Sequence, residues 1–480
     1  MKDAIGTPPP AWAEDLIIYE VATRGFTSPA GPESGTFASL AEKLGHIADL
    51  GANGIWLTGH SLGDPHHFYN IWTQYANIEP DKLDPSLGTE ADFRAMIGAA
   101  HDRGLKVFLD VHVHGVVAHS PLIEKKPEWF RKDTKLAERW GMADYDWQGD
   151  HPDLDAWWVK IWSDLVVDYG IDGYRLDVGV FRPDLWAKVR EAARKAGRSI
   201  VIFSEGGEAI PGVTDFTQGG FRVNDQRRDG VLSDTPLLRN LAALYREERM
   251  ATKIKNGFVT AQLSCHDSGW EGFPADGNPF VAEGSRCVFG YSVLFSPMIP
   301  VFMGGEEFDA TFRPLPGLSP KLFGGSDPGK GTWLYGAMLD WNEVGESPHR
   351  EMLEDARRMI AIRRREASVL RPTSPGQERV DILEVPRRPE GDLPVPYLRW
   401  HGGEAIVVAG NPDPAADAEI RLDIPVARTS LPVRETYLVE DLWNGGRRRV
   451  SRADLGRLPC TVARDQSPRG GVAVLKITAA

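Results

Sequence analysis

The chain of 480 residues carries 55 Lys and Arg against 68 Asp and Glu, a net charge of −13, which argues against nucleic acid as a partner because that needs a basic surface. Its length exceeds a single core, so one large domain with one or two smaller ones is expected. Its three cysteines, Cys265, Cys287 and Cys460, have no CxxC spacing, so neither a disulfide framework nor a thiolate zinc site is expected.

The stretch Met1 to Asp15 holds three consecutive prolines and no apolar core of signal-peptide length, and no later stretch is long enough to span a bilayer. The expectation is a cytoplasmic protein with no membrane partner. From there, short β-rich runs alternate with amphipathic helical stretches, the pattern of βα units around a parallel sheet. Eight runs are predicted as strands: Ile17 to Val21, Gly54 to Leu57, Lys106 to Asp110, Gly173 to Asp177, Ile200 to Ser204, Gly220 to Val223, Val259 to Ser264 and Met298 to Met303. Between them a helix is expected over Phe37 to Leu50, stopped by Gly51. Another is expected over Thr89 to Arg103, opened by a Thr89/Asp92 capping box and ended by Gly104.

Between Asp110 and a helix beginning near Asp155 lies a long stretch without period, rich in Trp, His and Pro; loops of that length are usually functional or form a small subdomain. After a helix over Pro348 to Ala367 the composition changes. Prolines punctuate short β-rich runs such as Ala405 to Ala409 and Val472 to Ile477, which reads as an all-β sandwich. The Arg-rich runs Arg363 to Arg365 and Arg447 to Arg449 are isolated, and both are read as solvated faces.

Three acids stand at or just past the ends of strand runs: Asp177, Glu205 and Asp267. Strand tips of a parallel barrel deliver side chains to a common mouth. Two carboxyl groups flanking a sugar bond suffice for glycoside hydrolysis, one attacking the anomeric carbon and the other protonating the leaving oxygen. Arg175 lies on the same face of its strand as Asp177 and would hold it ionised as a nucleophile requires. By themselves these residues fit a structural Asp–Arg pair equally well.

Short motifs at the strand ends resemble the α-amylase family, glycoside hydrolase family 13. Gly173-Tyr174-Arg175-Leu176-Asp177 is similar to its nucleophile strand, Glu205 with Val201 to Ser204 to its acid/base strand, and His266-Asp267 to its strand-seven pair. Gly54 to Leu57, His151 to Asp155 and Gly304 to Phe308 are looser matches, and Tyr69 matches a tyrosine that stacks on the sugar. The strand-three motif keeps Asp110 but has His114-Gly115 where the family usually has Asn-His, so bound calcium is not expected.

The resemblance implies an α/β fold: a (β/α)₈ TIM barrel over 1–114 and 156–370, a short B domain inserted at 115–155, and a C-terminal β-sandwich over 371–480. It implies a retaining α-glycoside hydrolase acting on small α-glucosides or maltooligosaccharides by double displacement. Asp177 would be the nucleophile, Glu205 the acid/base and Asp267 the transition-state stabiliser, with Tyr69, Asp110, Arg175 and His266 binding the sugar. Neither an organic cofactor nor a metal is implied. Three alternatives stay open: a transglycosylase of the same family, a catalytically inactive binding or scaffold homologue, and a metal-dependent barrel amidohydrolase suggested by His112-Val113-His114. Trp72, Trp140, Trp147 and Trp270 are candidates for sugar platforms, and Glu208 is a second candidate acid.

Overall fold

The computed structural model describes residues 8–65, 72–132, 141–206, 209–222, 257–262, 265–266, 285–294, 298–314, 337–371, 381–387 and 393–480. Eight strands close into a parallel barrel: β1 (Ile18–Val21), β2 (Gly54–Leu57), β3 (Lys106–Val111), β4 (Gly173–Leu176), β5 (Val201–Ser204), β6 (Phe216–Arg222), β7 (Phe258–Gln262) and β8 (Ile299–Met303). Each neighbours its successor in sequence, and β1 pairs with β8 to complete the ring. The sixth strand starts four residues earlier than its sequence pattern predicts, because Phe216 already pairs with Phe203 of β5.

Alternation along the strands sorts side chains between two cores. Ile18, Trp56, Phe108, Val201, Phe203, Phe216, Ile299 and Val301 form one buried cluster, which fills the barrel. Ile17, Tyr19, Ile55, Leu109, Tyr174 and Ile202 point the other way, into the layer beneath the helices. Each fully buried side chain of this size stabilises the fold by about 1.5–3 kcal/mol relative to exposure.

Helix α1 (Phe37–Leu50) opens on a Thr36/Ser39 capping box and stops at Gly51, whose φ of 101° suits a residue without Cβ. Helix α2 (Glu90–His101) starts from the Thr89/Asp92 box read in the sequence and buries Phe93, Met96, Ile97 and Ala100. The segment between β3 and helix α3 (Pro152–Asp164) carries a hairpin, in which Gly115–Val117 pairs antiparallel with Met142–Asp144. Helix α4 (Pro183–Lys195) follows β4, and α5 (Ser285–Leu294) precedes β8.

Helix α6 (His349–Arg365) corrects one expectation. Arg363 is not on a solvated face: it is buried and donates to the carbonyls of Val293 and Met298, at 2.7 and 2.6 Å. Those carbonyls lie at the end of α5 and the approach to β8 and need donors, and burial pushes the Arg363 pKa down to about 10. Arg447 to Arg449 do face solvent, on the edge strand of the C-terminal sheet.

That sheet has six strands, β9 (Asp381–Glu384), β10 (Tyr397–His401), β11 (Glu404–Gly410), β13 (Thr436–Asp441), β14 (Arg447–Ser451) and β16 (Val472–Ala479), in the order β9-β10-β11-β16-β13-β14. A two-stranded sheet of β12 (Ala418–Leu422) and β15 (Leu458–Val462) covers it. Ile420, Leu422, Leu458 and Val462 share a core with Leu398, Val407, Tyr437 and Ile477, as in a sandwich. The molecule is a (β/α)₈ barrel carrying a C-terminal all-β domain.

Candidate active site

Strand register alone brings two of the candidate carboxylates together. Leu176 of β4 is the partner of Ser204 of β5, so the next residues, Asp177 and Glu205, leave the sheet side by side. Asp110 is the register partner of Arg175. Gly173 makes this spacing possible: a Cβ there would sit 1.7 Å from the Val201 carbonyl oxygen.

Arg175 is the centre of the arrangement, only 1 % exposed. Its Nη1 donates to Asp177 Oδ1 at 2.8 Å and to Asp110 Oδ1 and Oδ2 at 3.1 and 3.2 Å. Its Nη2 lies 3.0 Å from Glu205 Oε2. Burial works against the guanidinium's charge, but Asp110, Glu205 and Asp177 outweigh it and hold its pKa well above the usual arginine range. For Asp110 burial wins, and its carboxyl is raised in spite of Arg175, His266 and Tyr75.

Glu205 Oε2 also accepts the backbone N–H of Val178 at 2.7 Å. Val178 has φ of 61°, a left-handed conformation that a β-branched residue adopts only where its surroundings impose it. The backbone just past Asp177 is thus bent to hold the neighbouring acid by one oxygen.

Opposite this cluster, Tyr75 donates from its hydroxyl to Asp110 Oδ2 at 2.6 Å and stacks its ring on His266, 5.0 Å between centroids and 16° from parallel. Trp56 donates from Nε1 to Asp110 Oδ2 at 3.2 Å and meets the His266 ring edge-on. His266 is paired through Nδ1 with Glu20 of β1 at 2.6 Å.

Of the sequence candidates, Asp110, Arg175, Asp177, Glu205 and His266 meet at the barrel mouth. Tyr69, Asp267, Glu208, Trp140 and Trp270 lie outside the described residues. Trp72 is loop core, 2 % exposed with its Nε1 on Asp84. Trp147 donates to the Val113 carbonyl and packs on Tyr145 and Trp158.

Sequence reasoning missed Glu20, Trp56, Tyr75, Gln218 and Gln262. The available signal was polarity inside buried strands: Glu20 is the only charge in Ile18–Val21 and is fully buried.

His112 and His114 are beyond the end of β3. His112 is buried, bonds the Gly115 carbonyl through Nδ1, and is pushed down to about 3 by burial and by His114. Among the described residues no group of three or more His, Cys, Asp or Glu is placed to hold a metal.

Gly115 has a steric reason of its own. A Cβ would lie 1.9 Å from the Ala143 carbonyl oxygen across the hairpin, so the histidine usual in the resembled family has no room. At the preceding position His114 offers nitrogen where a calcium ion would want oxygen, so the pair does not fit that metal. The His114 ring packs between His112 and Phe181, at 5.5 and 5.4 Å.

Residues 20–145 match the family model for the α-amylase catalytic domain. The α-amylase MalA of Haloarcula japonica is 32% identical over 235 residues, 45% of this chain and 32% of that protein. The chain is thus similar to the α-amylase family over the first part of its barrel. A cyclomaltodextrinase from a Bacillus species is 24% identical over 237 residues, 41% of each protein; the matches thus span well under half the length of these relatives.

Solved structures agree in fold over nearly the whole chain. An Anoxybacillus α-amylase superposes with a TM-score of 0.70 at 18% identity, covering 98% of this chain and 99% of that one. AmyP in complex with maltose gives a TM-score of 0.67 at 15% identity, covering 97% of both. In this chain the mouth of the shared barrel fold carries the Arg175-centred carboxylates.

Proposed function

We propose that the protein is a retaining glycosidase that cleaves α-glycosidic bonds in small α-glucosides or maltooligosaccharides by double displacement. The observation that carries this reading is the sharing of one buried guanidinium between Asp177 and Glu205. Asp177 attacks the anomeric carbon, and the leaving oxygen takes its proton from Glu205. Glu205 then removes a proton from the water that releases the sugar. Asp267 is assigned to stabilising the oxocarbenium-like state, and Asp110, Arg175 and His266 to holding the sugar and its developing charge.

The relatives support the substrate class. One is named a cyclomaltodextrinase and another a probable α-glucosidase from Rhizobium meliloti. A Geobacillus thermoleovorans α-amylase of the same fold was solved with acarbose. A family relative named 4-alpha-glucanotransferase keeps transglycosylation as a second outcome, decided by whether water or a sugar hydroxyl reaches the intermediate.

The test is Asp177→Asn, which removes the nucleophile with little change of shape. Turnover is expected to fall by several orders of magnitude while the fold persists. In the unaltered protein a fluorinated α-glycosyl fluoride should label Asp177, and the first product should be the α anomer. Early β product, or label on another carboxylate, would overturn the assignment.

A further inference from the structure

A hydrogen-bonded chain runs through the barrel beneath the carboxylates. Arg175 Nε donates to Gln218 Oε1 at 3.0 Å, Gln218 Nε2 to Gln262 Oε1 at 3.1 Å, and Gln262 Nε2 to Glu20 Oε2 at 3.3 Å. Glu20 Oε1 then meets both the backbone N–H and Nδ1 of His266, at 3.1 and 2.6 Å. All five side chains are buried.

Chemistry sets the direction of this chain. Arginine only donates, so Gln218 must turn its oxygen to Arg175 and its amide nitrogen to Gln262. The same step repeats at Gln262, and the chain reaches position 20 as an N–H. From the other side the His266 backbone also arrives as an N–H. Only a group that accepts at both ends can close the gap, and a carboxylate does. Because a carboxylate cannot donate, the proton of the short contact belongs to His266 Nδ1, which turns Nε2 away from Glu20.

We propose that Glu20 is a positioning residue: as the terminal acceptor of the chain that begins at Arg175, it fixes the tautomer and orientation in which His266 serves the sugar site. Glu20 itself does not touch substrate. Tyr75 stacks on the His266 ring and hydrogen-bonds Asp110, which Arg175 also holds. The circuit therefore closes on itself, and the ring's setting is tied to that of Asp177 and Glu205. The role in catalysis rests on the glycosidase reading; the tautomer does not.

The experiment compares Glu20→Gln with the pair Glu20→Gln and Gln262→Glu. The single change is nearly isosteric but brings a donor to a place reached by donors from both sides. The paired change moves the carboxylate one step along: position 262 accepts from both neighbours, and the amide oxygen at position 20 again faces His266. Histidine-selective ¹⁵N NMR should find His266 protonated at Nδ1 in the unaltered protein, lose that signature in the single variant and regain it in the pair.

On maltotriose, kcat should fall roughly ten- to a hundredfold in the single variant, as when a group orienting a catalytic histidine is lost, and should recover largely in the pair. A ring that keeps its Nδ1 proton in the single variant, or a pair no better than the single, would overturn the proposal. Should the single variant fail to fold, the unaltered protein and the pair still decide the tautomer. If the protein cleaves no α-glucoside, the glycosidase reading falls while the NMR result still tests the role of Glu20.

Discussion

Arg175 offers its donors to three carboxylates, Asp110, Asp177 and Glu205, and to Gln218. Burial raises the carboxyl of Asp110 in spite of that guanidinium, of His266 and of the Tyr75 hydroxyl. Arg175 and the Val178 N–H both approach Glu205 at Oε2. In Glu205→Gln the amide oxygen must take that place, which puts an NH₂ group where a carboxyl could carry a transferable proton. Hydrolysis of poor leaving groups is expected to drop about 10²- to 10⁴-fold, the range of a lost general acid. An activated aryl α-glucoside, which needs little protonation, should retain part of its rate. Equal loss on both substrates in steady-state kinetics would remove Glu205 from the acid role.

At the scale of elements, the spacing of β4 against β5 depends on Gly173. Its φ of 155° and the 1.7 Å approach a Cβ would make to Val201 O leave no room for a side chain. Gly173→Ala must push the strands apart where Leu176 and Ser204 pair and thereby separate Asp177 from Glu205. The expected cost is about 3 kcal/mol, at the high end for an overpacked site. A thermal melt no lower than that of the unaltered protein would contradict it. This motif also explains what the sequence made legible. Buried parallel strands are short apolar runs, and those ending in an acid stand out, so Asp177 and Glu205 could be read from pattern. Tyr75 could not, because its strand, Thr73–Leu83, lies outside the barrel and only tertiary packing brings the ring to His266. Nor could Arg363, whose burial depends on carbonyls contributed by Val293 and Met298, distant in sequence.

Across the whole molecule, barrel and sandwich meet at a buried cluster of charge. Arg286 of α5 donates to Asp355 of α6 at 2.7 Å and to the Asp465 carbonyl of the sandwich at 3.3 Å. Asp465 Oδ1 accepts the Cys287 N–H, and Asp355 accepts the Arg469 N–H. Burial raises Asp465 to about 7, assisted by Asp309, and raises Asp309 to about 6 against the pull of Arg286 and His349. Both carboxyls bind a proton more tightly folded than unfolded. Their contribution to stability is therefore complete below the ordinary carboxylate value and is lost as pH rises through about 6 and about 7.

Two buried histidines act in the opposite sense. His60 and His112, depressed by burial to about 4 and about 3, stabilise fully above the ordinary histidine value and lose that contribution on acidification. From pH 6.5 to 8 the unfolded histidines give up their remaining protons, which still adds about 0.4 kcal/mol for each of the two, while the contribution of Asp309 is largely spent by pH 7. Asp465 is left to set the slope at this interface. Between pH 6.5 and 8 its ionisation should lower stability by about 1 kcal/mol. Asp465→Asn keeps an oxygen for the Cys287 N–H and cannot ionise. Melting curves across this range should stay nearly level in the unaltered protein, where the histidines offset Asp465, and rise with pH in the variant by the roughly 1 kcal/mol that Asp465 no longer removes. A slope in Asp465→Asn equal to that of the unaltered protein would mean that the pH sensitivity of the fold arises elsewhere than in the contact between barrel and sandwich.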